Sequence, residues 1–447
     1  MSLVSPTLRN LLFVVGLTLV GLFTHSTHAG TGDEPHYLAI SQSLAFDRDV
    51  DLSNNYAADQ WIAGDVAPGA HVTTGRGGIL RPVHDIGMPL LFAPYVAVVR
   101  PLVAALAPWL PASLLERSRV TPETIYRHLL SVAMIAVTLV LVAQLFRTLL
   151  ALRVGPAVAF GATALMALSP PISIHGILFF TEILSALLCL VAFRFIVVDP
   201  DDRSWRWSVA GLCVGLLAFV HARNAGLVVA LILVALRTFQ QRRVAAPAAA
   251  FGSAAIAMLA IRAGVTYYFW GSWITTPHAT TGAATSLAST FGIAVHRLGG
   301  LLIDQEYGLL IYAPIFLLAP LGALHYQAPR RALVGATAVV AAYLLPILLP
   351  FINAHGWTGG WSPAARFWVP VVPLLVIVMA AGLARAPRAL VVPMLAVQIA
   401  VSAYFWQHPK NLWNDGDGIA AVCERGGGRF CDWLPSLVQP SDLVSPP

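Results

Sequence analysis

Two adjacent carboxylates, Asp33 and Glu34, stand in the run Thr31-Gly32-Asp33-Glu34-Pro35-His36-Tyr37, just past an apolar segment at residues 11–23. A carboxylate at a membrane surface is costly to keep, and it becomes useful when it takes a proton from an attacking group or holds a cation. Other candidates follow along the chain. His84 and Asp85 are neighbours, Glu182 follows Phe179-Phe180 and precedes an apolar run, and Asp304-Gln305-Glu306-Tyr307-Gly308 adds two acids. Arg223 sits in His221-Ala222-Arg223-Asn224, which interrupts an otherwise continuous apolar stretch from 209 to 236. An arginine at such a turn either grips an anionic headgroup or phosphate with two parallel hydrogen bonds or pairs with an outer-loop acid, and the sequence leaves both open. Arg366 closes the Gly- and Trp-rich stretch 356–365. Glycines that let a backbone approach closely, ending on an arginine at a span entrance, read as a ligand-facing turn; an interfacial arginine with its stem in the lipid boundary is the alternative.

The elements that must position these groups are membrane helices. A chain of 447 residues with 57% apolar and 11% charged residues and a mean hydropathy of +0.74 does not fit a water-soluble domain. We expect an all-α polytopic bundle with spans at 11–24, 125–146, 154–170, 177–198, 207–220, 224–238, 246–265, 306–324, 331–352, 367–384 and 388–406. Helices satisfy their backbone internally, as lipid requires. Arg147/Arg153, Arg203/Arg206, Arg237/Arg242/Arg243, Arg330/Arg331 and Arg385/Arg388 mark alternate loops as cytoplasmic. That parity puts the 25–85 loop outside and leaves 86–107 no room as a simple crossing, so with Arg100-Pro101 near its middle it reads as a re-entrant or surface helix. About 11 spans then form one domain, 1–406, followed by a short external tail, 407–447.

Residues 11–23 after Arg9 also resemble the apolar region of a secretory signal, but Thr27-His28-Ala29 is a poor small-x-small cleavage site, so an anchor is expected. The net charge of +6 comes largely from cytoplasmic arginines and implies no nucleic acid. Lys410 is the single lysine, and no Gly-Lys-Ser/Thr loop is present, which argues against an ATP-driven pump. Cys189 and Cys213 lie in apolar spans and read as packing residues. In the tail, Cys423 and Cys431 close a small Gly-rich loop, with no histidine near to complete a zinc site, and are expected to form a disulfide.

By the same parity, twelve of 13 histidines fall in or near the outer surface, His325 being the cytoplasmic one, and so do the acids and arginines named above. A one-sided collection of ionisable groups points to a site at the outer interface. His25, His28, His71 and His408 are expected to be ordinary surface residues, and Asp49, Asp51, Asn54 and Asn55 to belong to a solvated, turn-rich loop.

The order of these features resembles the GT-C membrane glycosyltransferases, most nearly the branch of protein O-mannosyltransferases and lipid A aminoarabinose transferases. An Asp-Glu pair directly after the first span, an aromatic-bearing helix and a long external loop are matched by Gly32-Asp33-Glu34-Pro35-His36-Tyr37-Leu38-Ala39-Ile40, and a second acid in the next outer loop is similar to Glu182. Where relatives carry Lys-Pro-Pro-Leu, this chain has Val83-His84-Asp85-Ile86-Gly87-Met88-Pro89-Leu90. The resemblance implies a GT-C-like bundle with juxtamembrane helices in its first external loop, in the plasma or inner membrane, with its active site on the external or periplasmic face. It implies inverting transfer of a hexosyl or pentosyl group from a polyprenyl-phosphate donor to a lipid, glycan or protein acceptor. Asp33 would be the general base, and Glu34 would orient the acceptor or the loop. His36, Tyr37, His84 and Asp85 would line the sugar pocket, Arg223 and Arg366 would bind phosphate, and Glu182, Asp304 and Glu306 would complete the substrate site. No cofactor is obligatory; a divalent metal, if used, would sit on Asp33 and Glu182. The competing class is a transporter or lipid flippase with these acids and histidines as a proton path, against which stand the one-sided polar residues and the lack of paired broken helices. A non-catalytic scaffold would leave the Asp-Glu pair dispensable.

Overall fold

The computed structural model describes residues 5–26, 32–58, 69–110, 121–274, 277, 286–325, 329–350, 357–359, 363–383, 387–407 and 434–438. Helix α1 (Pro6–Ser26) is followed by α2 (Glu34–Gln42), which tightens into a π-helical turn at Ser43–Asp47, and by the short α3 (Ser53–Ala58). Asp33 caps α2: its carbonyl accepts the N–H groups of His36 (3.1 Å) and Tyr37 (3.0 Å), and Pro35 near the helix start gives up a donor that would have had no partner. An antiparallel hairpin, β1 (Val72–Thr74) and β2 (Leu80–Pro82), turns through Gly77 and Gly78, both at positive φ (81° and 75°). Its docking is close. A side chain at Gly75 would strike the carbonyl oxygen of Phe269.

After α4 (Gly87–Leu106) comes the main bundle: α5 (Pro122–Ala151), α6 (Pro156–Leu168), α7 (Pro170–His175), α8 (Thr181–Phe193), α9 (Ser204–Val220), α10 (Ala225–Arg242) and α11 (Ala245–Trp270). The last part contains α12 (Leu287–Ile303), α13 (Leu309–Tyr312), α14 (Ala319–Leu324), α15 (Arg330–Leu348), α16 (Val372–Leu383) and α17 (Arg388–Gln407). Among the described residues, eight helices are long and apolar enough to cross a membrane, and shorter apolar helices fill in between them. The chain is a multi-pass membrane protein. Much of α11 carries its apolar side chains outward, where lipid takes the place of core, whereas α8 is buried along most of its length.

Close helix contacts rest on small residues, the means by which helices associate when lipid removes any hydrophobic gain. A Cβ on Gly226 of α10 would strike the carbonyl oxygen of Ala342 in α15, and one on Gly211 of α9 that of Phe251 in α11. Gly226→Ala should therefore lower the thermal midpoint of the purified protein, at a cost of about 1–3 kcal/mol for overpacking. Gly252→Ala, which meets nothing within 4 Å, is the control. Equal midpoints would remove this contact from the account.

Three expectations change. Arg100-Pro101 does not interrupt its segment: α4 runs unbroken through Pro94 and Pro101. Proline's φ suits a helix, and the bond that it removes is tolerable when neighbouring groups serve the freed carbonyls. Its contacts run to α2, to α5 and to the turn before α8. Arg100 donates to Gln42 (3.1 Å), Tyr95 Oη donates to the carbonyl of Leu129 (2.7 Å), and Phe92 meets Phe179 edge to face (5.1 Å). The segment 306–324, expected as one span, is instead α13, a 3₁₀ stretch at Pro314–Leu318 and α14, because prolines 314 and 320 fall where a continuous helix would need donors. Within the expected outer loop 266–305, α12 is a helix whose Leu287, Phe291 and Val295 recur every four residues and stand exposed.

Candidate active site

Arg366 is where residues distant in sequence converge. Its Nη2 donates to Asp33 Oδ2 (2.6 Å), its Nε to Glu182 Oε1 (2.5 Å) and its Nη1 to the carbonyl of Gly359 (3.2 Å). The guanidinium lies 4.8 Å over the ring of Phe180 and is 4% exposed. Ala365, just before it, has left-handed backbone (φ 56°), a conformation that costs an alanine energy and aims the arginine inward. Glu182 stands in the first turn of α8, where the helix dipole favours a carboxylate, and is also 3.4 Å from Arg223 Nη1. Thr181 Oγ1 donates to its second oxygen (3.3 Å). Arg223 in turn lies 4.2 Å over Phe367, with its Nη2 3.2 Å from His221 Nε2.

Glu34 faces another way. Its Oε1 accepts the backbone N–H of Phe179 (2.9 Å), and its Oε2 lies 3.7 Å from Arg127 near the start of α5. It thus clamps the turn before α8 that carries Phe180 against Arg366. Three acids (Asp33, Glu34, Glu182) meet three arginines (Arg127, Arg223, Arg366), so the cluster is balanced. Burial would raise the Asp33 carboxyl, but Arg366, aided by His84 and His71, holds it well below the usual carboxylate range, so it is ionised. Tyr37 is fully buried nearby, and its hydroxyl has no hydrogen-bond partner among the described residues.

On the other side of Asp33 lie three histidines. The ring of His36 stacks on His71 (centroids 3.5 Å apart), and its Nδ1 is 2.6 Å from Tyr56 Oη. His71 Nδ1 lies 2.8 Å from His84 Nε2 and 3.9 Å from Asp33 Oδ1. Burial, reinforced by neighbouring His71, pushes His36 down to about 3, and burial also lowers His71 against the pull of Asp33. His71 is therefore part of the site and not the surface residue the sequence suggested. The signal that could have found it is the hairpin. Thr74-Gly75-Arg76-Gly77-Gly78 is a turn, and folding it back sets His71 beside Val83 and thus next to His84. Arg127 and Tyr56 were missed too, since neither stands out locally.

Asp85 turns away from this centre. Its Oδ2 accepts the N–H of Ala222 (2.6 Å) and its Oδ1 lies 3.7 Å from Arg262, beside a small cleft that residues 83–86 form with Phe219 of α9 and with α11. Burial raises its carboxyl. Asp304 caps a turn, accepting the N–H groups of Glu306 (2.8 Å) and Tyr307 (3.0 Å), and anchors the tail through Leu437 N–H (2.7 Å). No contact described here joins Asp304 or Glu306 to Arg366. A metal on Asp33 and Glu182 would have to displace the arginines that occupy Glu182; the metal-compatible grouping among the described residues is Asp33, His71 and His84. Cys423 and Cys431 lie outside the described residues.

No protein-family model and no curated protein matches the chain. Among solved structures, it is similar to ArnT from Cupriavidus metallidurans bound to undecaprenyl phosphate, with a TM-score of 0.50 and 14% identity over 88% of this chain. The fold is GT-C-like. The match covers 63% of ArnT, so this chain spans less than two thirds of that protein's length. The GT-C architecture expected from the Asp-Glu pair and its long loop is thus present as a fold, with the acid pair at the end where the first loop meets α8.

Proposed function

We propose that this chain is a polyprenyl-phosphate-dependent glycosyltransferase that moves a hexosyl or pentosyl group to a lipid, glycan or protein acceptor at the external or periplasmic face of the cell membrane, with inversion. The observation that carries this reading is the single guanidinium of Arg366 bound to both Asp33 and Glu182, in a fold shared with a protein crystallised with undecaprenyl phosphate. The acceptor hydroxyl oxygen attacks the anomeric carbon and its proton passes to Asp33. The bond from that carbon to the phosphate oxygen breaks, leaving its electron pair on the polyprenyl phosphate. Arg366 and Arg223 bear the developing negative charge, so an obligatory metal is not needed for that task. Asp33 Oδ2 is held by the arginine, which leaves Oδ1 as the oxygen that takes the proton.

Arg366 also explains how a strongly acidic carboxyl can act as a base. A carboxylate paired this tightly is a poor proton acceptor, but a donor phosphate drawn to Arg366 competes for the same N–H groups and weakens its hold on Asp33. Basicity then rises as the donor binds. The test is transfer by detergent-solubilised protein given undecaprenyl-phosphate-linked sugars and a membrane-lipid extract as acceptor. Acceptor-dependent release of undecaprenyl phosphate is the expected result. No release across hexosyl and pentosyl donors, together with substrate movement in sealed vesicles, would replace the reading with a transporter or flippase.

A further inference from the structure

We propose that Asp304 is a positioning residue for Arg366, and that the tail segment 434–438 is the strap through which it acts. Its part in donor binding rests on the glycosyltransferase reading; the strap itself does not.

Asp304 is fully buried, and backbone N–H groups take the lone pairs of its carboxylate. Its two oxygens have separate tasks. Oδ1 accepts the N–H groups of Glu306 (2.8 Å) and Tyr307 (3.0 Å) within its own turn, whereas Oδ2 accepts Leu437 N–H (2.7 Å) from the tail. A second bond runs beside it. Gln305 N–H donates to the carbonyl of Pro435 (2.9 Å), while the carbonyl of Gln305 accepts Tyr312 Oη (3.0 Å). Leu434, Leu437 and Val438 pack against the core, and a Cβ at Gly299 would stand 3.7 Å from Leu437 Cδ1. The tail is thus fastened to the end of α12 by side chain and backbone alike.

The same end of α12 holds the stretch around Arg366 at two points. Asp304 N–H donates to the carbonyl of Gly300 (3.1 Å), and the carbonyl of Leu301 accepts Trp368 Nε1 (2.7 Å), just past Arg366 in the chain. Before Arg366, Trp357 lies so close on Gly300 that any side chain there would strike its indole, and Gly359 beyond it gives its carbonyl to Arg366 Nη1 (3.2 Å). Both tryptophans are buried. Arg366 therefore takes its place from α12, and α12 ends on the turn that Asp304 ties to the tail. Packed side chains and hydrogen bonds of this kind form a contiguous route by which one part of a protein biases another.

The experiment is hydrogen–deuterium exchange on the full-length protein in detergent, read at the peptide covering 366–371, where Trp368, Val369 and Val371 donate their N–H groups within the turn. Asp304→Asn keeps one oxygen for Glu306 and Tyr307 but sets an amide NH₂ against the N–H of Leu437, so the bond to the tail is the one lost. Leu437→Pro removes the same bond from the other partner, since proline has no N–H, and it answers should Asp304→Asn fail to fold. We expect either change to speed exchange at 366–371 by about 2–30-fold, the usual size of coupling through packed contacts, and the two together to add little more. A disulfide between Gly299→Cys and Leu437→Cys, formed with copper phenanthroline in the Asp304→Asn background, should restore slow exchange. Unchanged exchange at 366–371 after loss of the tail bond, full additivity of the two changes, or a cross-link that restores nothing overturns the proposal. In transfer assays the donor KM should rise by about 2–30-fold with kcat unchanged, because a displaced Arg366 weakens donor binding. This last readout rests on the glycosyltransferase reading: faster exchange with an unchanged KM leaves the strap standing and counts against Arg366 as the donor's phosphate site.

Discussion

Asp33→Asn should reduce sugar transfer by about 10²–10⁴-fold, the usual cost of losing a general base, while the protein still folds. The amide keeps the shape of the carboxylate and one oxygen for Arg366, which retains Glu182 as its second partner at 2.5 Å. Glu34→Gln should do much less, because its oxygen can still accept the N–H of Phe179. The comparison is made by single-turnover transfer with saturating donor. Wild-type turnover in Asp33→Asn would end the assignment of Asp33 as base. Because Arg366 holds this carboxyl below the usual value of about 4, kcat/KM should show no acid limb from Asp33 above that range.

The second large effect belongs to Arg366. Deleting it leaves Glu182, 1% exposed, with the 3.4 Å contact to Arg223 as its remaining ion pair, and breaking a buried pair costs about 3–5 kcal/mol. Arg366→Ala should therefore lose folded protein before it reports on catalysis. Arg366→Lys is the informative change. Its charge remains, but a compact ammonium cannot span Asp33 and Glu182 as the planar fork does. Losing one charged hydrogen bond, about 1.5–3 kcal/mol, should raise the KM for the polyprenyl donor by roughly 10–100-fold. An unchanged donor KM would remove Arg366 from the phosphate site and shift that role to Arg223.

How much of this was legible depended on whether a signal was local. The Asp-Glu pair after the first apolar run, the isolated Glu182 and the Gly-Trp stretch ending at Arg366 are conspicuous against a lipid-like background, and the structure draws Asp33, Glu182, Arg223 and Arg366 into one network. Hydropathy likewise marked most of the helices. It failed at α4, where Pro101 looked like a break but sits within a continuous helix, and at α12, where His296 and Arg297 dilute an apolar face that recurs at helical spacing. Asp304 misled for a different reason: an acid before a turn carries the same letters whether it caps backbone N–H groups or binds a ligand. His71 was hidden because its meaning depends on a pairing 13 residues away, which a hairpin creates and a list of residues does not.

The Arg366 bridge joins groups 333 and 184 positions apart in the chain, and this ordering has a consequence for biogenesis. Synthesis at roughly 5–20 residues per second puts some tens of seconds between the appearance of Asp33 and that of its counter-ion. During that interval the nascent bundle carries two carboxylates meant for low-dielectric surroundings without the guanidinium that balances them. Arg223 reaches Glu182 earlier, but Asp33 waits for the final third of the protein. The arginine therefore acts as a late latch on assembly: Asp33 gains this ion pair only after residue 366 has been made.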